Sequence, residues 1–261
     1  MSDRRSVVKR TLKILETFVA GHEAMSLSEL SRRSGIPLTT TFRIVTELAE
    51  GGVLERDVAG NYRIGLRLWE VASLAPRSVG LQRIALPYMQ DLYETTHLGV
   101  HLAVREKGEV VFVERLVSPD NQSGSPRVGG RYAMHATAVG MVLLAFAPKE
   151  VLDDLLSGPL PSFTSRTCTD PHELRRVLAD VRRKGYAYSD RQISNEFVSV
   201  ASPIYGAEGG VVAALSLIVP FAEAKGPAHG HLVQSSARAI SRALGAKLST
   251  PRSSRALRGS G

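Results

Sequence analysis

Leu38-Thr39-Thr40-Thr41-Phe42-Arg43 packs three hydroxyls, a ring and a guanidinium into six consecutive residues. Hydroxyls donate to phosphate oxygens, and a threonine methyl can rest on a thymine methyl. An arginine fork matches a guanine edge or a phosphate, and for Arg43 both options stay open. Three β-branched residues in a row are mildly unfavourable in a helix, so surface filling is a poor account of them. The plainer alternative has Thr39 capping a helix and its neighbours exposed. Further on, Arg56, Asn61 and Arg63 flank the turn Asp57-Val58-Ala59-Gly60. They supply two more guanidiniums and an amide suited to a nucleic-acid backbone or minor groove.

Such side chains act only if a frame presents them. Ser6 to Ala20 carries Val8, Leu12, Leu15 and Val19 at helical spacing, which predicts a helix burying that face. Ser26 and Glu29 have the spacing of a capping box at the start of a second helix. Ser34-Gly35-Ile36-Pro37 forms an elbow, and a third helix over Leu38–Glu50 stops at Gly51-Gly52. Val53–Arg56 and Asn61–Ile64 read as a hairpin, followed by a helix over Gly65–Ser73. Three helices and a hairpin in about 75 residues make a winged helix-turn-helix, whose elbow helix enters a major groove by its N-terminal end. The expected DNA-contacting set is therefore Leu38, Thr39, Thr40, Thr41, Phe42, Arg43, Arg56, Asn61 and Arg63. One such unit grips weakly, so dimers on paired half-sites are expected.

Pro76-Arg77-Ser78 reads as a joint, placing the first domain at 1–75. The second, 76–248, is mixed: a helix over Val79–Thr96, strands at Val100–Val104 and Val110–Leu116, and a polar loop over Asn121–Gly130. A small-residue helix follows over His135–Ala147. A helix capped at Thr169-Asp170-Pro171 ends at Gly185, strands run over Val198–Tyr205 and Val211–Val219, and a last helix covers His229–Leu248. No βαβ series alternates, so an α+β fold with an antiparallel-rich sheet is expected. Residues 249–261, rich in Ser, Arg and Gly, are expected to form a disordered basic tail.

Composition narrows the classes. The net charge is +8, but residues 1–75 hold eleven Lys/Arg against nine Asp/Glu. The charge therefore favours an anionic partner without locating its face. The run Arg4, Arg5, Lys9, Arg10, Lys13 is the densest basic patch, and serves equally as a solvated helix face. A single cysteine, Cys168, excludes an intrachain disulfide or a Cys-based zinc ribbon. His97, His101 and Cys168 have no metal-site spacing, so neither metal nor cofactor is expected. No apolar run reaches membrane-spanning length, and MSDRRSVVKR has no apolar leader core. A cytoplasmic protein without a membrane partner is expected.

The order of three motifs resembles the IclR family of bacterial transcription regulators, from about Ser6 to Leu248. They are the elbow helix with Gly60-Asn61-Tyr62-Arg63-Ile64-Gly65, then Met134-His135-Ala136-Thr137-Ala138-Val139-Gly140, then Gly185-Tyr186-Ala187 with Val200-Ala201-Ser202-Pro203-Ile204 and Ala213-Ala214-Leu215-Ser216. The resemblance implies a GAF/PAS-like C-terminal domain binding a small organic acid. It also implies homodimers or homotetramers on palindromic operators, often beside catabolic genes. Carried across by position, the effector pocket involves Tyr132, Ala138, Val139, Ser189, Phe197, Ser199, Ser216 and Ile218. Met141 stands where the family motif has lysine, Ser189 where relatives often have an acid, and Glu196-Phe197 where a Gly-Leu pair is typical. These departures imply a less charged, more aromatic pocket, with a hydrophobic or aromatic ligand held by the Ser199 and Ser216 hydroxyls.

Two other classes fit less well. His135 and the serines invite a hydrolase, but no Gly-x-Ser-x-Gly elbow, His-Glu-x-x-His pair or phosphate-binding glycine loop is present. A backbone hydrogen bond is the simpler use of His135, and no catalytic residue is expected. A structural DNA-binding protein without an effector would leave the long second domain unexplained.

Overall fold

The computed structural model describes residues 6–19, 21–74, 76–118, 126–224 and 227–247. The expected tail, residues 121–125 of the expected polar loop, and Arg4 and Arg5 lie outside them. The chain divides into two compact units between Val79 and Gly80.

The first unit contains α1 (Val7–Leu15), β1 (Ala24–Met25), α2 (Leu27–Ser34), α3 (Leu38–Glu50), β2 (Leu54–Arg56), β3 (Tyr62–Ile64) and α4 (Leu66–Ala72). Ser26 caps α2, its Oγ accepting from Glu29 N at 3.3 Å. The reciprocal half of the expected capping box is missing, because the Glu29 carboxylate accepts from Arg33 at 3.1 Å instead. Gly35 takes the left-handed conformation, φ 63°, that turns α2 into the elbow. Ile14, Leu30, Ile36, Ile44, Val45, Leu54 and Tyr62 form the core. β2 and β3 pair as the expected hairpin, and β1, too short for a periodic signal, joins on the far side in the order β1-β3-β2. The stripe expected to bury α1 is corrected: Ile14 is the buried residue, while Val8 and Leu12 are 68% and 52% exposed. Only the C-terminal end of α1 packs into this small core. The exposure extends to α4, where Leu66, Trp69 and Val71 face solvent.

Pro76 is no joint. It takes the first position of α5 (Pro76–Thr96), where its missing N–H costs nothing. Beyond α5 come β4 (Gly99–Glu106), β5 (Glu109–Leu116), β6 (Arg131–Ala133), α6 (Ala138–Ala145), α7 (Lys149–Leu156), α8 (Pro171–Lys184), β7 (Ala187–Asp190), β8 (Phe197–Tyr205), β9 (Val211–Pro220) and α9 (Pro227–Ala243). All six strands pair antiparallel in the order β6-β5-β4-β9-β8-β7. β6 and α7 were not apparent from hydrophobic periodicity. α6 is shorter than the expected His135–Ala147 helix, because Thr137 caps it by accepting from Gly140 N at 3.1 Å.

Strand alternation sorts the second unit into three layers. One sheet face carries Ala103, Phe112, Ala201 and Ala214 against α6, which is buried on every side, with α8 behind it. The other carries Val100, Leu102, Leu215 and Leu217 against α9 and against Leu81, Ala85, Met89 and Leu92 of α5. β9 therefore touches both cores with alternate residues.

Candidate functional site

In the first unit, α3 presents Leu38, Thr39, Phe42 and Arg43 outward. These residues are one helical turn apart and form one exposed stripe. Phe42 is 55% exposed, an uncommon place for a large ring unless something covers it. Arg43 has no ion pair or hydrogen bond among the described residues, so its charge is available. Thr40 is half-buried. Thr41 is a correction to the expected contact set: it is fully buried, and its hydroxyl donates toward the Ile36 and Pro37 carbonyls, each at 3.2 Å. It shares the core face with Ile44 and Val45, which lie three and four residues on, so it braces the elbow and cannot reach a groove.

The hairpin arginines are partly committed. Arg56 donates to Gly60 O at 3.2 Å and lies over the Tyr62 ring. Arg63 pairs with Glu55 at 3.0 Å. The other oxygen of Glu55 accepts from Leu66 N at 3.2 Å, at the start of α4. That backbone bond first, and Arg63 second, hold the Glu55 carboxyl below its ordinary range. The Asn61 N–H donates to Asp57 Oδ1 at 2.9 Å and closes the turn, leaving Val58 fully exposed at its tip.

In the second unit, all eight residues expected in the pocket line one cavity of about 70 Å³. Ser216 and Ile218 rise from β9, Phe197 and Ser199 from β8, Ser189 from β7 and Tyr132 from β6, while Ala138 and Val139 open α6. Phe112, Thr137, Gln192, Ile193, Ser194 and Val198 complete the wall without having been expected, and Pro126 joins it from the expected polar loop. Among the described residues no charged side chain lines it. Phe112 meets Tyr132 edge to face at 5.3 Å, giving one end an aromatic wall. Polar groups lie elsewhere. Ser189 is already used, its hydroxyl donating to Ala136 O at 2.8 Å. Ser216 is 1% exposed, and its hydroxyl has no partner among the described residues. Helix geometry leaves the first-turn amides of α6, at Ala138 and Val139, without intrahelical acceptors. The cavity thus offers hydroxyl and amide donors, a helix N-terminus favouring negative charge, and apolar walls.

Two histidines border this region. His101 pairs across the ladder with Ser216, is fully buried, and stacks edge-on to Phe112 at 5.6 Å. Burial first, and the Arg115 charge second, lower its pKa to about 3, so it is neutral at neutral pH. Nε2 of His135 lies 2.9 Å from Pro161 O, and its ring stacks on Phe163. Its Nδ1 has no partner among the described residues, so it activates no serine. A larger open groove of about 740 Å³ runs along α8, lined by Glu173, Arg176, Asp180, Arg183 and Lys184. It is solvated helix surface, and among the described residues no unpartnered buried polar group belongs to its lining. Among the described residues no His, Cys, Asp or Glu cluster could hold a metal ion, and no helix is long and apolar enough to cross a membrane.

Known proteins share this arrangement. Residues 74–242 match the family model for the bacterial transcriptional regulator IclR C-terminal domain, and residues 7–58 that for the IclR helix-turn-helix domain. The transcriptional regulator KipR of Bacillus subtilis (strain 168) is 29% identical over 250 residues, which cover 94% of this chain and 99% of KipR. An IclR homologue from Microbacterium hydrocarbonoxydans, complexed with 4-hydroxybenzoate, is 37% identical with a TM-score of 0.87, covering 92% of this chain and 99% of that one. The Thermotoga maritima IclR gives a TM-score of 0.75 at 26% identity, covering 91% and 98%.

Proposed function

Because this chain belongs to the IclR family of bacterial transcriptional regulators, a family of DNA-binding proteins and not of enzymes, we propose that it controls catabolic genes from a palindromic operator in response to an aromatic carboxylic acid. The reading rests chiefly on the cavity. Among the described residues it has a buried, unpartnered Ser216 hydroxyl, the α6 N-terminus, aromatic walls and no charged lining. A carboxylate placed at Ser216 and the first amides of α6 gains donors and a favourable dipole, the latter worth about 0.3–1 kcal/mol and up to ~2 when partly buried. A ring then lies between Phe112, Tyr132, Phe197 and Ile218. The 4-hydroxybenzoate held by the Microbacterium hydrocarbonoxydans homologue supports this ligand class.

The DNA contact falls to Thr39, Phe42 and Arg43 with Leu38 and Thr40 beside them, and to Arg56, Asn61 and Arg63 on the hairpin. Exposed apolar side chains on α1 and on α4, among them Leu12 and Trp69, supply surface for a second copy. The effector can alter DNA affinity only by binding one arrangement of the protein better than another. β9 suits that coupling, since Ser216 and Ile218 face the cavity while Leu215 and Leu217 face the core shared with α5. Calorimetry of the purified protein with 4-hydroxybenzoate, benzoate, glyoxylate and pyruvate tests the reading. Binding of the aromatic acids supports it, and binding of the short acids alone overturns it.

A further inference from the structure

The segment between β7 and β8 brings Gln192, Ile193 and Ser194 to the cavity wall. It is braced from a distant loop. The Thr164 hydroxyl donates to Arg191 O at 2.8 Å, and the Thr167 hydroxyl donates to Gln192 O at 2.7 Å. The Cys168 N–H donates to the Gln192 side-chain oxygen at 2.8 Å. This last bond settles the orientation of the amide. A backbone N–H needs an acceptor, so the end facing Cys168 is oxygen and the free end is NH₂. Among the described residues that NH₂ has no acceptor. The Gln192 side chain, which lines the cavity, is thus left with donors only.

Its place in the sheet matters. Ser216 lies in the cross-strand row of Ala201 and Ala187. Gln192 enters beyond Asp190, three residues further along β7, or about 10 Å at the usual strand rise. That offset along the strand direction suits an elongated ligand reaching from one group toward the other. The geometry points to Gln192 as the residue that selects the effector's far substituent, its NH₂ donating to an acceptor oxygen across the ring from the carboxylate. This rests on the aromatic-acid reading of the same cavity. It adds that an oxygen substituent is favoured over hydrogen, and that a substituent offering only donors gains nothing.

Titration calorimetry with benzoate, 4-hydroxybenzoate and 4-aminobenzoate tests this on the wild type, Gln192→Met and Gln192→Glu. The wild type should prefer 4-hydroxybenzoate to benzoate by about tenfold, the usual size of one net hydrogen bond, and should gain nothing from the amino group. Gln192→Met should erase the preference while still binding benzoate. Because methionine also removes the acceptor for Cys168 N–H, Gln192→Glu serves as the second variant. It keeps that acceptor and the segment's bracing but turns the donor into an acceptor, so 4-aminobenzoate, which gains nothing over benzoate in the wild type, should bind this variant better than benzoate does. If the wild type binds benzoate and 4-hydroxybenzoate equally and neither variant changes their ratio, the Gln192 assignment falls while the aromatic-acid reading stands. If the wild type binds none of the three acids, both fall.

Discussion

Replacing Ser216 by alanine should move stability and ligand affinity in opposite directions. The hydroxyl is 1% exposed and unpartnered among the described residues. An unsatisfied buried polar group costs about 1–3 kcal/mol. Alanine removes that cost with almost no loss of packed volume, so the free protein should gain about 1 kcal/mol. For a domain of this size the gain corresponds to a melting temperature about 2–4 °C higher. Affinity should fall, because a hydrogen bond to a charged acceptor contributes about 1.5–3 kcal/mol, roughly 10- to 150-fold. Thermal unfolding without ligand and calorimetry with 4-hydroxybenzoate read the two effects separately. A variant destabilised by about 1 kcal/mol would show that the hydroxyl has a protein partner the geometry misses. Unchanged affinity would remove Ser216 from the binding site.

Thr41→Val should lower stability by about 1 kcal/mol, as expected for a lost buried hydrogen bond; Thr39→Ala should leave melting unchanged and weaken DNA binding, a contrast that combined melting and anisotropy measurements check. Arg43→Ala should cost about 1–3 kcal/mol of DNA affinity; loss confined to one base-pair position in a binding-site selection assigns a base contact, and uniform loss a phosphate contact. His101 makes the protein acid-labile. Its folded-state pKa of about 3 lies below the ordinary 6.5, so the unfolded chain takes up the proton first as pH falls. The stability held by the neutral ring is complete above pH 6.5 and is lost from there down toward pH 3. Between about pH 7.5 and about pH 5 the wild type should lose up to ~2 kcal/mol more than His101→Gln, as followed by urea unfolding.

Local chemistry was legible in the sequence. Ser26, Gly35, Asp170 and Gly185 announce helix ends because a cap is a bond within a few residues, and each occurs where its residue type predicts. β8 and β9 were legible as central strands because a continuous apolar run marks a strand buried on both faces. What escaped depends on rotation or distance. Whether Thr41 faces a groove or the core turns on how α3 rolls onto Ile14 and Leu54, which a run of threonines does not reveal. Val8 and Leu12 looked like core because amphipathicity shows that a face is apolar without showing what covers it. The resemblance by motif brought eight residues to one cavity, but Gln192 is held there by Thr164, Thr167 and Cys168, more than twenty residues away. No local signal marks such a brace.

A metabolite bound in the second unit should change how the first unit holds DNA. Fluorescence anisotropy of the full chain on the DNA flanking its own gene, with and without 4-hydroxybenzoate, tests it most directly. Binding should be sequence-specific, weaken steeply between about 50 and 200 mM salt and shift about 5- to 150-fold when the acid is added. Binding indifferent to sequence, salt and acid alike would contradict it.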